Sequence, residues 1–449
     1  MFTSKNLSSF TMPSKNMQKE ATTMSQVQVT SIEEPKEAEQ AADTRHPVAL
    51  RRNRDYILLW CGQMISSVGT RVSMLAFPLF VLALTHSPAQ AGLIGAMRAL
   101  PYALLILPAG ALVDRWNRKR VMILCDIGRA MALGSIPIAL ILGHLTIAQL
   151  YIVSLVEGTL FTFFGLAEKA CLPHVVSKEQ LPTAAAQGMV IDSVSELIGP
   201  SIGGVLYSIG RAVPFLTDAI SYGASVLSLF CIKAKFQEER NPASLHLFAD
   251  IKEGLSWLWK QPLLRFLALL TGGMIAPVIG YSLILIVIAQ SQHASAFTIG
   301  VIFACGGIGS ILGAFLVPPL QKRLSFGQLM IGSTWIWALT WLLFAFAPNP
   351  LVLGIVTAVS FIIVPIFLSV QFGYRLALIP DHLQGRVNSV FGLIAFGSEP
   401  IGLAVTGILL QAFGPIATVL VLFVPQFLLS IAATLNKGLR NAKPIEELV

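Results

Sequence analysis

Long apolar runs recur along this chain from Tyr56 almost to the C-terminus, and each is long enough to cross a bilayer. A transmembrane helix needs about 20 predominantly apolar residues. Of the 449 residues, 55% are hydrophobic and only 12% are charged, whereas a soluble domain carries about 25% charged residues. The sequence therefore predicts an all-α, multi-pass integral membrane protein.

Charged residues and Gly or Pro breaks divide the apolar sequence into twelve predicted spans, numbered here in chain order. Their predicted bounds are 56–84, 91–113, 121–143, 148–170, 184–208, 212–232, 263–290, 297–319, 326–347, 350–375, 386–413 and 415–435. A polar connection at 233–262 separates an N-terminal half, 51–232, from a C-terminal half, 263–435. Residues 1–50 are polar and predict a disordered cytoplasmic tail, and residues 436–449 form the other tail.

The distribution of Lys and Arg orients the spans. Basic residues concentrate in alternate loops, and Arg211 is the only Lys or Arg in the loops between them. Because cytoplasmic loops are enriched in positive charge, we expect both termini in the cytoplasm and the chain in the cell membrane, plasma or inner. These loops and their contact with anionic lipid explain the net charge of +8 better than a nucleic-acid partner does.

Similar segments recur in the two halves. Gly110 and Gly313 each stand ten residues before an arginine, and Pro200 corresponds to Pro400 in a Gly-containing segment. Both shifts are close to 200 residues, although Val317 replaces Asp114 in the second copy. Such repetition predicts two pseudo-symmetric six-helix halves with the substrate site between them.

The connection between the halves has helical periodicity. Leu247, Ile251, Leu255 and Leu258 fall on one face of a helix, which predicts an amphipathic helix at the cytoplasmic interface. The alternative is a solvated tether.

A dense group of charges lies between the second and third predicted spans. Asp114 and four cations occupy seven residues, so the segment must be a tight loop on one membrane face. Its pattern, Gly110-x-x-x-Asp114-Arg115-x-x-Arg118-Lys119-Arg120, resembles the loop between helices 2 and 3 of the major facilitator superfamily of transporters.

Further segments resemble one branch of that superfamily, the macrolide- and siderophore-efflux-like exporters. They are Ser66-Ser67-Val68-Gly69, Leu100-Pro101, Asp126-Ile127-Gly128-Arg129, Leu172-Pro173, Gly199-Pro200, Gly203-Gly204, Asp250 to Gly254, and Gly385-Arg386-Val387-Asn388-Ser389. The resemblance covers about residues 50 to 435. It implies a monomer without a cofactor that exports a small drug-, macrolide- or siderophore-like compound by proton-coupled alternating access.

The resemblance also implies a cytoplasmic gate. Asp114 would pair with Arg118 and with the end of helix 11 near Arg386, in a charge network that forms in one state and breaks in the other. The expected gate residues are Gly110, Asp114, Arg115, Arg118, Arg120 and Arg386. The alternative is that the arginines only enforce topology.

Ionisable residues within spans are costly and usually face the bundle interior. The predicted proton-coupling carboxylates are Glu157, Glu196, Glu399 and Asp192, and the predicted cavity cations are Arg71 and Arg98. The alternative for Glu157 is a static ion pair with Arg71 or Arg98. Asp126 and Arg129 are expected to form a local pair on span 3, and Asp218 is expected to have a structural role.

Other classes of function fit the sequence less well. A facilitator or importer of a small metabolite and a transport-inactive receptor or scaffold both remain open. An enzyme is the least favoured class, because there is no metal-ligand spacing and no Gly-x-Ser-x-Gly motif. The absence of a Walker-type loop indicates that the drive is an ion gradient.

Overall fold

Helices make up nearly all of the chain that the structure describes, and that part contains no strand. The structure is a computed structural model, and it describes residues 50–234, 236, 247–380 and 383–442. The described residues belong to one compact unit. Residues 1–49 of the predicted disordered tail lie outside them, as do 443–449 of the other tail and 237–246 of the connection.

The first six spans are single helices. They are Arg54–Thr85, Pro88–Arg115, Arg118–Ile141, Ile147–Val175, Leu181–Ile209 and Val213–Cys231, with short 3₁₀ turns at Leu50–Arg52 and Lys178–Gln180. The side chains of Asn53, Ser87, Asn117 and Thr146 accept hydrogen bonds from the first turns of spans 1 to 4. Such caps satisfy N–H groups that have no partner inside the helix, so they explain where these helices begin.

The second half begins after the connection, where the predicted amphipathic segment is helical. Its helices are Leu247–Lys260 in the connection, Pro262–Val278 and Tyr281–Ser291 in span 7, Ala296–Gln321 in span 8, Phe326–Leu343 with Phe344–Phe346 in span 9, Pro350–Leu378 in span 10, Gln384–Phe396 and Glu399–Leu435 in spans 11 and 12, and Lys437–Arg440. Leu258 is fully buried, whereas Leu255 is 41% exposed. The predicted apolar face is therefore only partly covered by protein.

Spans 11 and 12 follow one another without a loop. The described apolar stretch Gln384–Leu435 has 52 residues, about 78 Å of helix, and the hydrocarbon core is only about 30 Å thick. Gly414 (φ 75°, ψ 176°), followed by Pro415, breaks the helix inside it. The eleven candidate membrane helices of the described chain therefore accommodate twelve crossings.

The two halves meet along two equivalent seams. Span 5 packs on span 8, and span 2 packs on span 11. A Cβ at Gly204 would lie 2.4 Å from the Ala296 carbonyl oxygen, and one at Gly407 would lie 2.7 Å from the Pro88 carbonyl oxygen. These close approaches lie at the end of the molecule that carries the loops near His86 and His293, which we call the neutral end.

The opposite end, which carries the Asp114–Arg120 loop and the connection, is called the basic end. Further along the seam of spans 5 and 8 toward it, Met189 lies eleven residues before Pro200, on the same helix face, and is 72% exposed. On the other seam, a Cβ at Gly110 of span 2, or at Gly385 or Gly392 of span 11, would meet no atom within 4 Å. The seams are therefore closed at the neutral end and open toward the basic end.

Candidate functional site

A buried ion network lies inside the first half, and Glu157 of span 4 is at its centre. This carboxylate is 2% exposed. Arg98 of span 2 donates to it from Nε and, at 3.1 Å, from Nη2. Arg129 of span 3 donates from Nη2 at 3.0 Å. Two guanidinium groups therefore hold one carboxylate in place, and such charge-assisted contacts are stronger than neutral hydrogen bonds.

Arg129 corrects the expectation of a purely local pair with Asp126. Its guanidinium is 3.7 Å from Asp126, but it also binds Glu157 and lies 4.1 Å from the ring centroid of Tyr222 in span 6. The i, i+3 spacing suggested only the first of these contacts. A long arginine side chain reaches neighbouring helices as well, so this residue joins spans 3, 4 and 6.

Asp218 of span 6 completes the network on the side of span 1. It is fully buried and accepts hydrogen bonds from the hydroxyls of Ser73 and, at 3.2 Å, Ser221. The hydroxyls of Tyr222 and Thr70 are 2.9 Å apart. Asp218 therefore belongs to the same polar interior as Glu157.

The backbone of span 4 brings Arg98 close to Glu157. A Cβ at Gly158 would lie 1.9 Å from the Arg98 carbonyl oxygen, a distance that no side chain can occupy. Only glycine therefore permits spans 2 and 4 to approach this closely at that level. The glycine that follows Glu157 thus fixes the position of its first partner.

Arg71 does not contact Glu157 but pairs with Glu196 of span 5, at 3.7 Å. Their side chains are 32% and 51% exposed. Gly199 makes room for this arginine, because a Cβ there would lie 2.4 Å from the Arg71 Cβ. Asp192 is also exposed and lies one turn from Glu196 on the same face of span 5.

That face of span 5 looks into the opening between the halves. It lies between the positions that contact span 1, such as Gly199, and those that contact span 8, such as Leu197. Tyr281 of span 7 is within electrostatic range of both Glu196 and Arg71. Its ring lies 5.1 Å from that of Phe361 in span 10 and 5.9 Å from that of Phe303 in span 8. Charged and aromatic groups from both halves therefore meet here, as in a site for an amphiphilic ligand.

Glu399 connects the second half to the buried network. It begins the helix Glu399–Leu435, and it lies within electrostatic range of Arg98 and Tyr102 in span 2. A break in the helix lies just before it, between Phe396 and Glu399. A carboxylate of one half thus faces a cation of the other across the seam between spans 2 and 11.

Glu168 was not among the carboxylates that the sequence predicted for the site. It lies inside the helix Ile147–Val175 and is only partly exposed. It is within electrostatic range of Asp192 and Asp126. The available signal was its spacing from Glu157, because eleven residues are close to three helical turns and place both side chains on one face.

The expected gate residues lie at the basic end. Asp114 contacts Arg118 at 3.3 Å, and Arg118 also donates to the Ala170 carbonyl oxygen at 2.9 Å. Arg386 of span 11 forms an ion pair with Glu253 of the connection helix. Arg115, Arg120 and Asp114 are exposed, and Gly110 lies on the open part of the seam. The loop is thus bound to span 4, and span 11 is bound to the connection.

Comparison with known families gives one match over most of the chain. Residues 46–447 match the family described as transmembrane secretion effector. This agrees with the resemblance to the major facilitator superfamily that the loop motif suggested and with the exporter branch that the further segments suggested.

Individual relatives agree with the family match. The multidrug efflux pump Tap of Mycolicibacterium fortuitum is 25% identical over 398 residues, which cover 86% of this chain and 96% of that protein. The enterobactin exporter EntS of Salmonella typhi is 24% identical over 378 residues, which cover 82% of this chain and 89% of that protein. A bacterial homologue of the human lysosomal transporter Spinster, solved inward-facing and unoccupied, superposes with a TM-score of 0.68 at 16% identity, over 86% of this chain and 98% of that one. This last likeness shows the fold alone.

Proposed function

The chain belongs to the transmembrane secretion effector family and is an efflux transporter of the major facilitator superfamily, and from this premise we propose that it exports a small amphiphilic compound by proton-coupled alternating access. The observation that carries the proposal is the mixed site formed by Arg71, Glu196 and Tyr281, which draws side chains from both halves. It lies between seams that are closed at one end and open at the other.

The basic end is the cytoplasmic end in this proposal, because Lys and Arg are retained on that side of a membrane. Both termini are then cytoplasmic, and the structure corresponds to an inward-open state of a monomer in the cell membrane. The substrate enters between the halves from the cytoplasm or the inner leaflet. Closure at the basic end and opening at the neutral end release it outside.

The opening between the two halves is called the cavity below. Its side chains favour a substrate with an apolar body and at least one polar or charged group. Tyr281, Phe303 and Phe361 offer aromatic surface, and Arg71 and Glu196 offer charges of both signs. The names of the two relatives, a multidrug pump and an enterobactin exporter, fit drug-like and siderophore-like compounds.

The gate follows from the same cycle. When the basic end closes, the loop with Asp114 and Arg118 approaches the start of span 11, where Arg386 lies. In the open state Arg118 donates to the Ala170 carbonyl oxygen of span 4, and Arg386 pairs with Glu253 of the connection helix. The described contacts of the two arginines are therefore with different elements. Exchange between the two sets of contacts provides a two-state element.

Proton coupling requires carboxylates that change protonation as access alternates. Glu157, Glu196, Glu399 and Asp192 are the proposed participants, with Arg71 and Arg98 as the cations that face them. Glu196 and Asp192 lie in the cavity, whereas Glu399 faces Arg98 across a seam. Proton binding at either place alters the charge that the substrate or the opposite half encounters.

Transport in proteoliposomes tests the proposal. The purified chain is reconstituted, an inward or outward pH gradient is imposed, and a panel of macrolides, cationic dyes and catecholate siderophores is assayed. We expect uphill movement of at least one compound that collapses with a protonophore. Equilibration without dependence on the pH gradient would indicate a facilitator, and no movement of any compound would favour a receptor or scaffold.

Glu196→Gln is expected to change substrate affinity more than folding. The side chain is half exposed and its pair with Arg71 is long, so the variant should keep wild-type thermal stability. Loss of one charged contact to a substrate costs about 1.5–3 kcal/mol, and each 1.4 kcal/mol is about tenfold in affinity. We therefore expect KM for a charged substrate to change at least roughly tenfold. An unchanged KM for every charged compound of the panel would remove Glu196 from the site.

A further inference from the structure

The buried network contains more acids than bases. Asp126, Glu157 and Asp218 are each at most 2% exposed, and Arg129 is 3% exposed. Arg98 is the second cation that contacts these carboxylates. With every group ionised, three negative charges would face two positive charges. An uncompensated charge in such an interior is very costly, and a buried group neutralises instead. The network is therefore neutral when it holds one proton.

The hydrogen bonds indicate which carboxylate holds that proton. Glu157 accepts three contacts from two guanidinium groups, which stabilise its ionised form. Asp218 accepts from two serine hydroxyls. Neither oxygen of Asp126 accepts a hydrogen bond of normal geometry from a described residue; its nearest supports are the Ser225 hydroxyl and the Arg129 guanidinium, which is 3.7 Å away. Of the three buried acids, Asp126 is thus the one that accepts no close hydrogen bond.

We propose that Asp126 is the proton-binding carboxylate of the transport cycle, and that it exchanges its proton with the cytoplasmic cavity through Glu168. This rests on the proposed function, proton-coupled export. It shifts the central role from Glu157, the acid at the centre of the ion network, to an acid one helix away. Glu157 becomes a fixed anchor for Arg98 and Arg129.

The helices that pack against span 3 carry the charged and titratable groups that surround Asp126, and these groups support the assignment. Span 3 packs on spans 4 and 6 and, more lightly, on span 2. The charged and titratable groups that face Asp126 or its partner Arg129 are Glu157 and Glu168 of span 4, Asp218 and Tyr222 of span 6, Arg98 of span 2, and Cys125 beside it on span 3. Glu168 is the only carboxylate in this set that is not buried, and Asp192 lies beyond it.

The step itself is a proton transfer between two carboxyl groups. Asp126 gives up its hydroxyl proton, and the carboxylate of Glu168 accepts it at the cavity wall. The network is then left with one excess negative charge, and Asp126 competes with Glu157 for Arg129, which already lies 3.7 Å from it. Arg129 and Arg98 share Glu157, and Arg98 faces Glu399 across the seam. Protonation of Asp126 thus influences the seam that opens and closes.

Asp126→Asn tests the proposal, because asparagine keeps the shape but cannot carry the proton. We expect the purified, reconstituted variant to exchange labelled substrate across the membrane without a gradient, and to lose at least tenfold of its pH-driven uphill transport. Asp55→Asn is the matched control, since the described partners of Asp55 are the backbone N–H groups of Lys233 and Ala234 at the basic end, and this variant should leave uphill transport unchanged. A variant at Asp126 that still concentrates substrate with the pH gradient would overturn the proposal.

Infrared difference spectroscopy of the wild-type protein gives a readout that does not depend on the variant folding. The carbonyl stretch of a protonated buried carboxyl group should change on substrate binding. This band should shift in protein labelled with ¹³C-aspartate, stay in place in protein labelled with ¹³C-glutamate, and persist in an Asp218→Asn variant. A shift with glutamate labelling alone would assign the proton to Glu157 or another glutamate and overturn the proposal.

The two proposals fail in different ways. If wild-type protein shows no proton-driven transport of any compound, the proposed function fails. If wild-type transport is proton-driven while the Asp126→Asn variant is equally driven, only the assignment of the proton to Asp126 fails.

Discussion

Glu157→Gln should destabilise the folded protein by about 3–5 kcal/mol, the usual cost of breaking a buried ion pair by removing one partner. Glu157 is 2% exposed and contacts both Arg98 and Arg129. A neutral amide would leave two buried guanidinium groups with too little negative charge. Since proteins are stable by only about 5–15 kcal/mol, this loss should appear as a large drop in thermal stability in detergent.

The Glu196→Gln variant is the matched control for that measurement. The same chemical change is made at a carboxylate that is 51% exposed and 3.7 Å from its cation. Exposed pairs contribute about 0–1 kcal/mol, so its stability should stay close to that of the wild type. Equal stability losses in the two variants would contradict the buried network. Loss of stability in Glu157→Gln alone would also mean that lost transport in this variant cannot by itself identify the proton site.

The fold follows from the sequence because hydropathy in a membrane protein is a strong signal. Apolar runs had to be helical and had to span the bilayer, so most predicted bounds lie within a few residues of the helices. The largest difference is at the end of span 4, which the sequence predicted at residue 170, just after Lys169. The helix continues to Val175, because a lysine near a helix end can extend toward the membrane surface.

The ion network was much harder to predict, for a geometric reason. Arg71, Arg98 and Arg129 all lie on helices of the first half, and any of them could reach Glu157 at some rotation of its helix. One sequence gives the residues that share a face of a helix but not the direction of that face. Arg98 was among the expected partners, Arg71 was directed to Glu196 instead, and Arg129 was expected to remain with Asp126. The glycines that fix these rotations, such as Gly158, have no visible signature of their own.

Gly158→Ala should have a severe effect even though it adds only one methyl group. The new Cβ would lie 1.9 Å from the Arg98 carbonyl oxygen and 2.8 Å from the Arg98 carbonyl carbon. Both are backbone atoms, so no flexible side chain can move aside, and spans 2 and 4 must separate. Overpacking of this kind costs about 1–3 kcal/mol and sometimes more. Separation also pulls Arg98 away from Glu157, so stability and transport should both fall.

Gly165→Ala, two turns further along span 4, is the matched control. A Cβ there would meet no atom within 4 Å, and alanine is favoured over glycine inside a helix by about 1 kcal/mol. The same substitution in the same helix should therefore be neutral or stabilising at Gly165 and strongly destabilising at Gly158. Thermal unfolding and transport of the two purified variants measure this difference in sign. If both variants behaved alike, helix propensity alone would determine the effect, and Gly158 would not be what places Arg98 on Glu157.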